Sequence, residues 1–101
     1  MAQFIKAARR SDIPEGSGKM IETGGRTLAL FHSNGQFYAI DNACMHRGGP
    51  LGEGEVYGTR VVCPWHGWEY DFSTGRNVDD PSMKLSCFVV KVEGDDILIE
   101  I

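Results

Sequence analysis

The sequence predicts an all-β fold, and three observations carry that prediction. Thirteen glycines and four prolines punctuate a chain of 101 residues into short apolar runs. The residues from Phe88 to Glu93 alternate along the chain with the period-two spacing of a half-buried strand, and no window carries a helical period. An Asn-Gly pair, Asn34-Gly35, separates two apolar runs, where both turn positions call for positive φ.

Taken in order, Phe4-Ile5-Lys6-Ala7-Ala8 reads as the first strand. Ser11 to Lys19, with Pro14, Gly16 and Gly18, is a loop in which Asp12-Ile13-Pro14 has room for one helical turn. Lys19 to Thr23 is a short strand turned by Gly24-Gly25. Thr27 to His32 and Phe37 to Ile40 are the arms of a hairpin around Asn34-Gly35. Asn42 to Gly54 is a long glycine-rich loop without a period. Arg60 to Cys63 and Trp68 to Asp71 are strands on either side of a short loop, and Thr74-Gly75 closes a turn. Asn77 to Met83, containing Asp79-Asp80-Pro81, is a third irregular loop. Phe88 to Glu93 and Ile97 to Ile101 form a terminal hairpin around Gly94-Asp95-Asp96. The sum is one domain over 1–101 with about nine short strands, a small sandwich or barrel.

Composition narrows the function. Apolar residues make up 42% and charged residues 24% of the chain, values of an ordinary globular protein. The formal net charge is −4, and the only adjacent basic pair is Arg9-Arg10, so the expectation is no nucleic-acid partner and no anionic-membrane partner. The start, Met1 to Lys6, turns charged before an apolar run develops, so neither a signal peptide nor a membrane anchor is expected. Three cysteines do not make a disulfide framework. The expected location is cytoplasmic.

Chemistry concentrates between Cys44 and His66. Cys44-Met45-His46 is followed, after sixteen residues, by Cys63-Pro64-Trp65-His66. Short pairs of ligand-type side chains at loop tips are the pattern of chelation, since a tight turn aims both at one point. Zinc takes Cys₂His₂ sets, but usually with like residues paired. Here each pair mixes one Cys with one His, which suits two loops approaching one centre from opposite sides. A [2Fe-2S] cluster with two Cys on one iron and two His on the other fits that arrangement. It also gives Gly48, Gly49 and Gly67 a reason, since glycine lets backbone N–H groups approach bridging sulfides. Zinc remains the alternative at this point.

Cys44-x-His46 and Cys63-Pro64-Trp65-His66-Gly67-Trp68 together resemble the Rieske motif. The flanks His46-Arg47-Gly48-Gly49-Pro50-Leu51 and Trp68-Glu69-Tyr70-Asp71 are similar to those of Rieske ferredoxins and Rieske oxygenase domains of bacterial aromatic-ring dioxygenase systems. The resemblance implies a Rieske domain of three antiparallel sheets, with a small cluster-binding subdomain over about 42–72 and the loop around Pro81 covering one side. It implies one Rieske-type [2Fe-2S] cluster held by Cys44, His46, Cys63 and His66.

Respiratory-complex members of that family carry a disulfide between the two ligand loops, where this chain has Gly49 and Trp65, and a serine where it has Trp68. Losing that hydroxyl donor leaves charge on the sulfur less stabilised, while Tyr70 keeps one phenolic donor. The expected midpoint potential is therefore roughly −150 to 0 mV, the lower part of the Rieske range. Imidazole ligation further implies a potential flat near neutral pH that falls in alkali, once His46 or His66 deprotonates in the oxidised form.

Only three histidines exist, and the motif uses two of them. A mononuclear oxygenase iron needs two more together with a carboxylate, so no complete oxygenase is expected. There is no G-x-G-x-x-G fingerprint for a dinucleotide. What the resemblance implies is an electron carrier and not an enzyme, passing one electron from an NAD(P)H-dependent flavoprotein reductase to a terminal oxygenase. The alternatives are the small Rieske-like subunit of an assimilatory nitrite reductase and a structural zinc module. Among the other residues, Cys87 reads as a small core residue, His32 as structural or exposed, and Asp79-Asp80 as a solvated loop. Trp65 and Trp68 fit packing, shielding or docking equally, and Arg47 fits a plain surface arginine.

Overall fold

Alternation along the central hairpin explains how the sheets stack. The computed structural model describes residues 3–23, 25–42, 49–65 and 67–100. In strand β3 (Arg26–Ser33), Leu28, Ala29, Leu30 and Phe31 are all buried, because both faces of the strand are covered. Leu28 and Leu30 point into one cluster with Ile13, Ile21, Ala39, Ile97 and Ile99. Ala29 and Phe31 point the other way, into a second cluster with Ile40, Leu51, Val61, Cys63, Tyr70, Phe72 and Leu85. Successive side chains leave a strand on opposite faces, so a run of four buried residues requires a sheet or loop on each side. Fully burying a Leu, Ile or Phe side chain contributes about 1.5–3 kcal/mol.

Three antiparallel sheets result. The central one has the order β2-β3-β4-β9, with β2 at Ser17–Thr23, β4 at Gln36–Asp41 and β9 at Cys87–Phe88. On one side lies β1-β11-β10, formed by Phe4–Arg9, Asp96–Glu100 and Val90–Glu93. The other sheet, β5-β6-β7-β8, is a meander of Glu55–Tyr57, Arg60–Val62, Glu69–Asp71 and Arg76–Asn77. The β3–β4 hairpin turns at Asn34 (φ 54°) and Gly35 (φ 77°), the positive angles expected of that dipeptide. Phe31 crosses from the central sheet to stack on Phe72, with ring centroids 4.5 Å apart. Ser33 Oγ donates to the Gly58 carbonyl at 2.7 Å and ties the hairpin to the β5–β6 turn.

Several details depart from the sequence reading. The helical turn lies at Arg10–Asp12 and not at Asp12-Ile13-Pro14. Ile13 is already extended (φ −128°, ψ 90°), as a residue before proline prefers. The glycine-rich loop contains a second short helical turn, Leu51–Glu53. Strands β5 and β8 were not foreseen, and the expected strand Phe88–Glu93 is divided at Val89 between two sheets.

Candidate metal centre

The second ligand loop is the end of a hairpin. Strands β6 and β7 pair from Arg60↔Asp71 to Val62↔Glu69, and one further bond, Cys63 N–H to the Trp68 carbonyl at 2.6 Å, closes the loop. Only Pro64, Trp65, His66 and Gly67 then lie between the closing residues. Gly67, at φ 73°, supplies the left-handed conformation that such a tight return needs. Cys63 is 2% exposed, and it shares its buried cluster with Tyr70. Among the described residues no buried side-chain nitrogen or oxygen lacks a partner.

The first ligand loop is held at both ends by one residue that the sequence reading passed over. Asn42 is buried, and its Oδ1 accepts the Gly52 N–H at 2.8 Å, while its carbonyl accepts the Leu51 N–H at 2.8 Å. Its own N–H reaches the Thr27 carbonyl at 3.3 Å, anchoring the clamp to β3. The signal for it was weak: a lone Asn at the edge of a loop is ordinary in any turn.

The two loops meet at Gly49 and Cys63. A β-carbon built on Gly49 would lie 2.6 Å from Cys63 Sγ and 3.2 Å from Trp65 Cβ. The backbone of one loop therefore passes directly over the sulfur of the other, a cradle that only glycine permits. Cys44, His46 and His66, together with Gly48 and Arg47, lie outside the described residues. The geometry thus speaks directly to Cys63 alone among the four expected ligands.

The remaining candidates separate clearly. Cys87 is exposed at the sheet edge, not a core residue; a β-carbon on Gly75 would lie 2.9 Å from its Sγ. Its thiol is raised above its ordinary value, chiefly by desolvation, with Lys84 opposing. His32 is structural: Nδ1 lies 2.8 Å from the Ile13 carbonyl, and its ring stacks on Phe37 at 4.1 Å. A carbonyl can only accept, so Nδ1 carries the proton and Nε2 faces Glu15 Oε1 at 3.8 Å. Asp79 and Asp80 are exposed, as expected. Trp65 is half exposed, whereas Trp68 packs against the cluster that contains Cys63.

A buried thiol beneath a glycine backbone, where two loops meet, is a setting suited to a metal–sulfur centre. The donor set expected from the sequence, two Cys and two His, has the composition that a Rieske [2Fe-2S] cluster takes, and glycine at position 49 keeps a side chain from crowding the Cys63 sulfur. Comparison with known proteins names the family. The model of the Rieske [2Fe-2S] domain matches residues 3–93, and the chain belongs to that family. Its cofactor is one Rieske-type [2Fe-2S] cluster.

The ferredoxin component of the naphthalene 1,2-dioxygenase system of Pseudomonas aeruginosa is 32% identical over 100 residues, covering 98% of this chain and 96% of that protein. Among solved structures, a chain in the complex of reduced oxygenase and oxidized ferredoxin of carbazole 1,9a-dioxygenase is 28% identical. It superposes with a TM-score of 0.85, over 95% of this chain and 91% of that one. A chain assigned as the small subunit of an NADH-dependent nitrite reductase from Mycobacterium tuberculosis has a TM-score of 0.91, covering all of this chain and 96% of that one. At 19% identity it shows a shared fold only. Among the described residues, no helix is long and apolar enough to cross a membrane.

Proposed function

We propose that this chain is the ferredoxin component of a multicomponent oxygenase system. It would take one electron from an NAD(P)H-dependent flavoprotein reductase and deliver it to a terminal oxygenase. In this reading Cys44 and Cys63 hold one iron of the cluster, and His46 and His66 hold the other. The cluster, when bound, supplies a centre that accepts and releases a single electron.

The observation that carries the reading is end-to-end similarity to a dioxygenase ferredoxin component, 98% of this chain against 96% of that protein. The cradle supports the assignment of Cys63, since a side chain at position 49 would push its sulfur aside. His32, engaged with Ile13 and stacked on Phe37, is not placed to start a second metal site. The polypeptide's part is to hold the ligands, exclude water around Cys63 and present the loop tips to a partner.

Mixing the loaded protein with a flavoprotein reductase and NADH tests this directly. The expected result is rapid bleaching of the visible spectrum, followed by reoxidation when a terminal oxygenase of the aromatic-ring type is added. A chain that is reduced but co-purifies with, and donates only to, a large sirohaem subunit would instead be a nitrite reductase small subunit.

A further inference from the structure

Strand β10 (Val90–Glu93) is an open edge of the sheet β1-β11-β10. Glu100 N–H donates to the Val89 carbonyl at 2.9 Å, and from there the β10–β11 ladder runs without a shift to Glu93↔Asp96. Hydrogen-bonding groups alternate in direction along an antiparallel strand, so β11 takes those of Lys91 and Glu93, and those of Val90 and Val92 face outward. Among the described residues, no backbone hydrogen bond from outside the sheet reaches them. The opposite edge, β1, is interrupted by a shift between Lys6 and Ala8, a device that blunts edges. The β10 ladder has no such shift.

The side chains on this edge form a self-complementary pattern. Val90 packs against the buried cluster of Ile97 and Ile99, so Lys91 and Glu93 project from the outer face, where they pair at 3.7 Å and are both mostly exposed. Val92 returns to the inner face opposite the buried Ile97, yet it is 42% exposed.

We propose that β10 pairs antiparallel with β10 of a second copy of this chain, about a two-fold axis through Val92. A two-fold axis brings one strand against itself, and the pleat requires outer side chains to meet outer ones, so the axis must pass through a residue. Centring on Lys91 or on Glu93 would set like charges face to face, which is destabilising. Centring on Val90 would leave both charges unmatched. Centring on Val92 places Lys91 against Glu93 of the second copy, and Glu93 against Lys91 of the second copy. It also joins the outward N–H and carbonyl of Val92 to those of their counterpart and covers the exposed valine. The sheet concerned lies across the central sheet from the one leading to Cys63, so the surface is separate from the candidate metal centre and does not depend on the electron-carrier reading. A four-residue strand makes a small interface, and the association is weak and concentration-dependent.

Sedimentation velocity of the purified protein from about 10 μM to about 1 mM covers the range in which a weak interface assembles. A thiol reductant keeps the exposed Cys87 from cross-linking copies. The wild-type sedimentation coefficient should rise from that of a monomer to that of a dimer. Lys91→Glu and Glu93→Lys should each remain monomeric, since each sets like charges opposite one another, and the two exchanges combined should dimerise again. Val92→Pro removes an outward N–H that β11 does not use, and should also remain monomeric. Circular dichroism checks that each variant is folded; should a charge variant not fold, Val92→Pro against wild type reads the same edge. A wild type that is monomeric throughout, a dimer that survives either charge reversal or Val92→Pro, or a folded double exchange that stays monomeric overturns the proposal.

Discussion

Gly49 lies so close to Cys63 that a β-carbon on it would sit 2.6 Å from the sulfur, well inside contact distance. This one approach joins the two ligand loops and specifies both residues. A side chain at 49 must displace either the sulfur or the Trp65 stem, 3.2 Å away. Gly49→Ala should therefore cost about 1–3 kcal/mol, as overpacking does. It should also lower iron and sulfide content sharply while far-ultraviolet circular dichroism still reports a β fold. A fully loaded Gly49→Ala protein would show that the approach is incidental.

Asn42 holds both ends of the first loop, and its loss leaves the Gly52 N–H without its side-chain acceptor in a buried site. Asn42→Ala should destabilise the fold by about 1–3 kcal/mol. Cluster release to an iron chelator should accelerate by more than that stability loss alone would produce. Asn42→Asp keeps the acceptor oxygen and should recover most of the retention. Chelator challenge followed by absorbance distinguishes the three proteins.

Tyr70 is fully buried in the cluster that contains Cys63. If its phenol supplies the remaining donor to a ligand sulfur, Tyr70→Phe removes stabilisation of the reduced state and lowers the midpoint. The wild-type protein should titrate at roughly −150 to 0 mV. A wild-type midpoint near +300 mV would place the centre in the high-potential branch and contradict the tuning argument.

Glu15 offers a test of the scaffold away from the cluster. Its carboxylate accepts the N–H groups of Gly35 at 2.8 Å and Asn34 at 2.9 Å, so it buckles the segment before β2 to the β3–β4 turn. The Gly35 bond foremost, then Asn34 and the charge of His32, lower its pKa below the ordinary 4.5, with desolvation opposing. A depressed carboxyl pKa stabilises the fold above the unfolded-state value, and that contribution is lost as pH falls through the folded value. Glu15→Gln should thus be less stable than wild type at neutral pH, with the gap closing in acid below about pH 4. Denaturant melts at several pH values check it; a gap independent of pH would contradict the charge argument.

Where the sequence was legible, strong local signals were responsible. Asn34-Gly35 announced the central hairpin because few dipeptides tolerate two positive φ angles, and the mixed Cys/His pairs announced the metal. Strands β5 and β8, three and two residues long, carry no alternation of their own and exist only through pairing with β6 and β7. The chain changes sheets at Val89, which residue alternation does not reveal, and the same change leaves Cys87 on an exposed edge. Asn42 was unreadable for a different reason: what marks it is burial and the distant amides it holds. Three of the four expected ligands lie outside the described residues, so their assignment rests on the motif and the family.

The most direct test of the central claim is pulsed EPR on the dithionite-reduced protein. The account predicts a reduced [2Fe-2S] signal with hyperfine couplings from two imidazole nitrogens, one lost in His46→Cys and the other in His66→Cys. A reduced cluster without nitrogen coupling, or a colourless zinc protein with no signal at all, would contradict it.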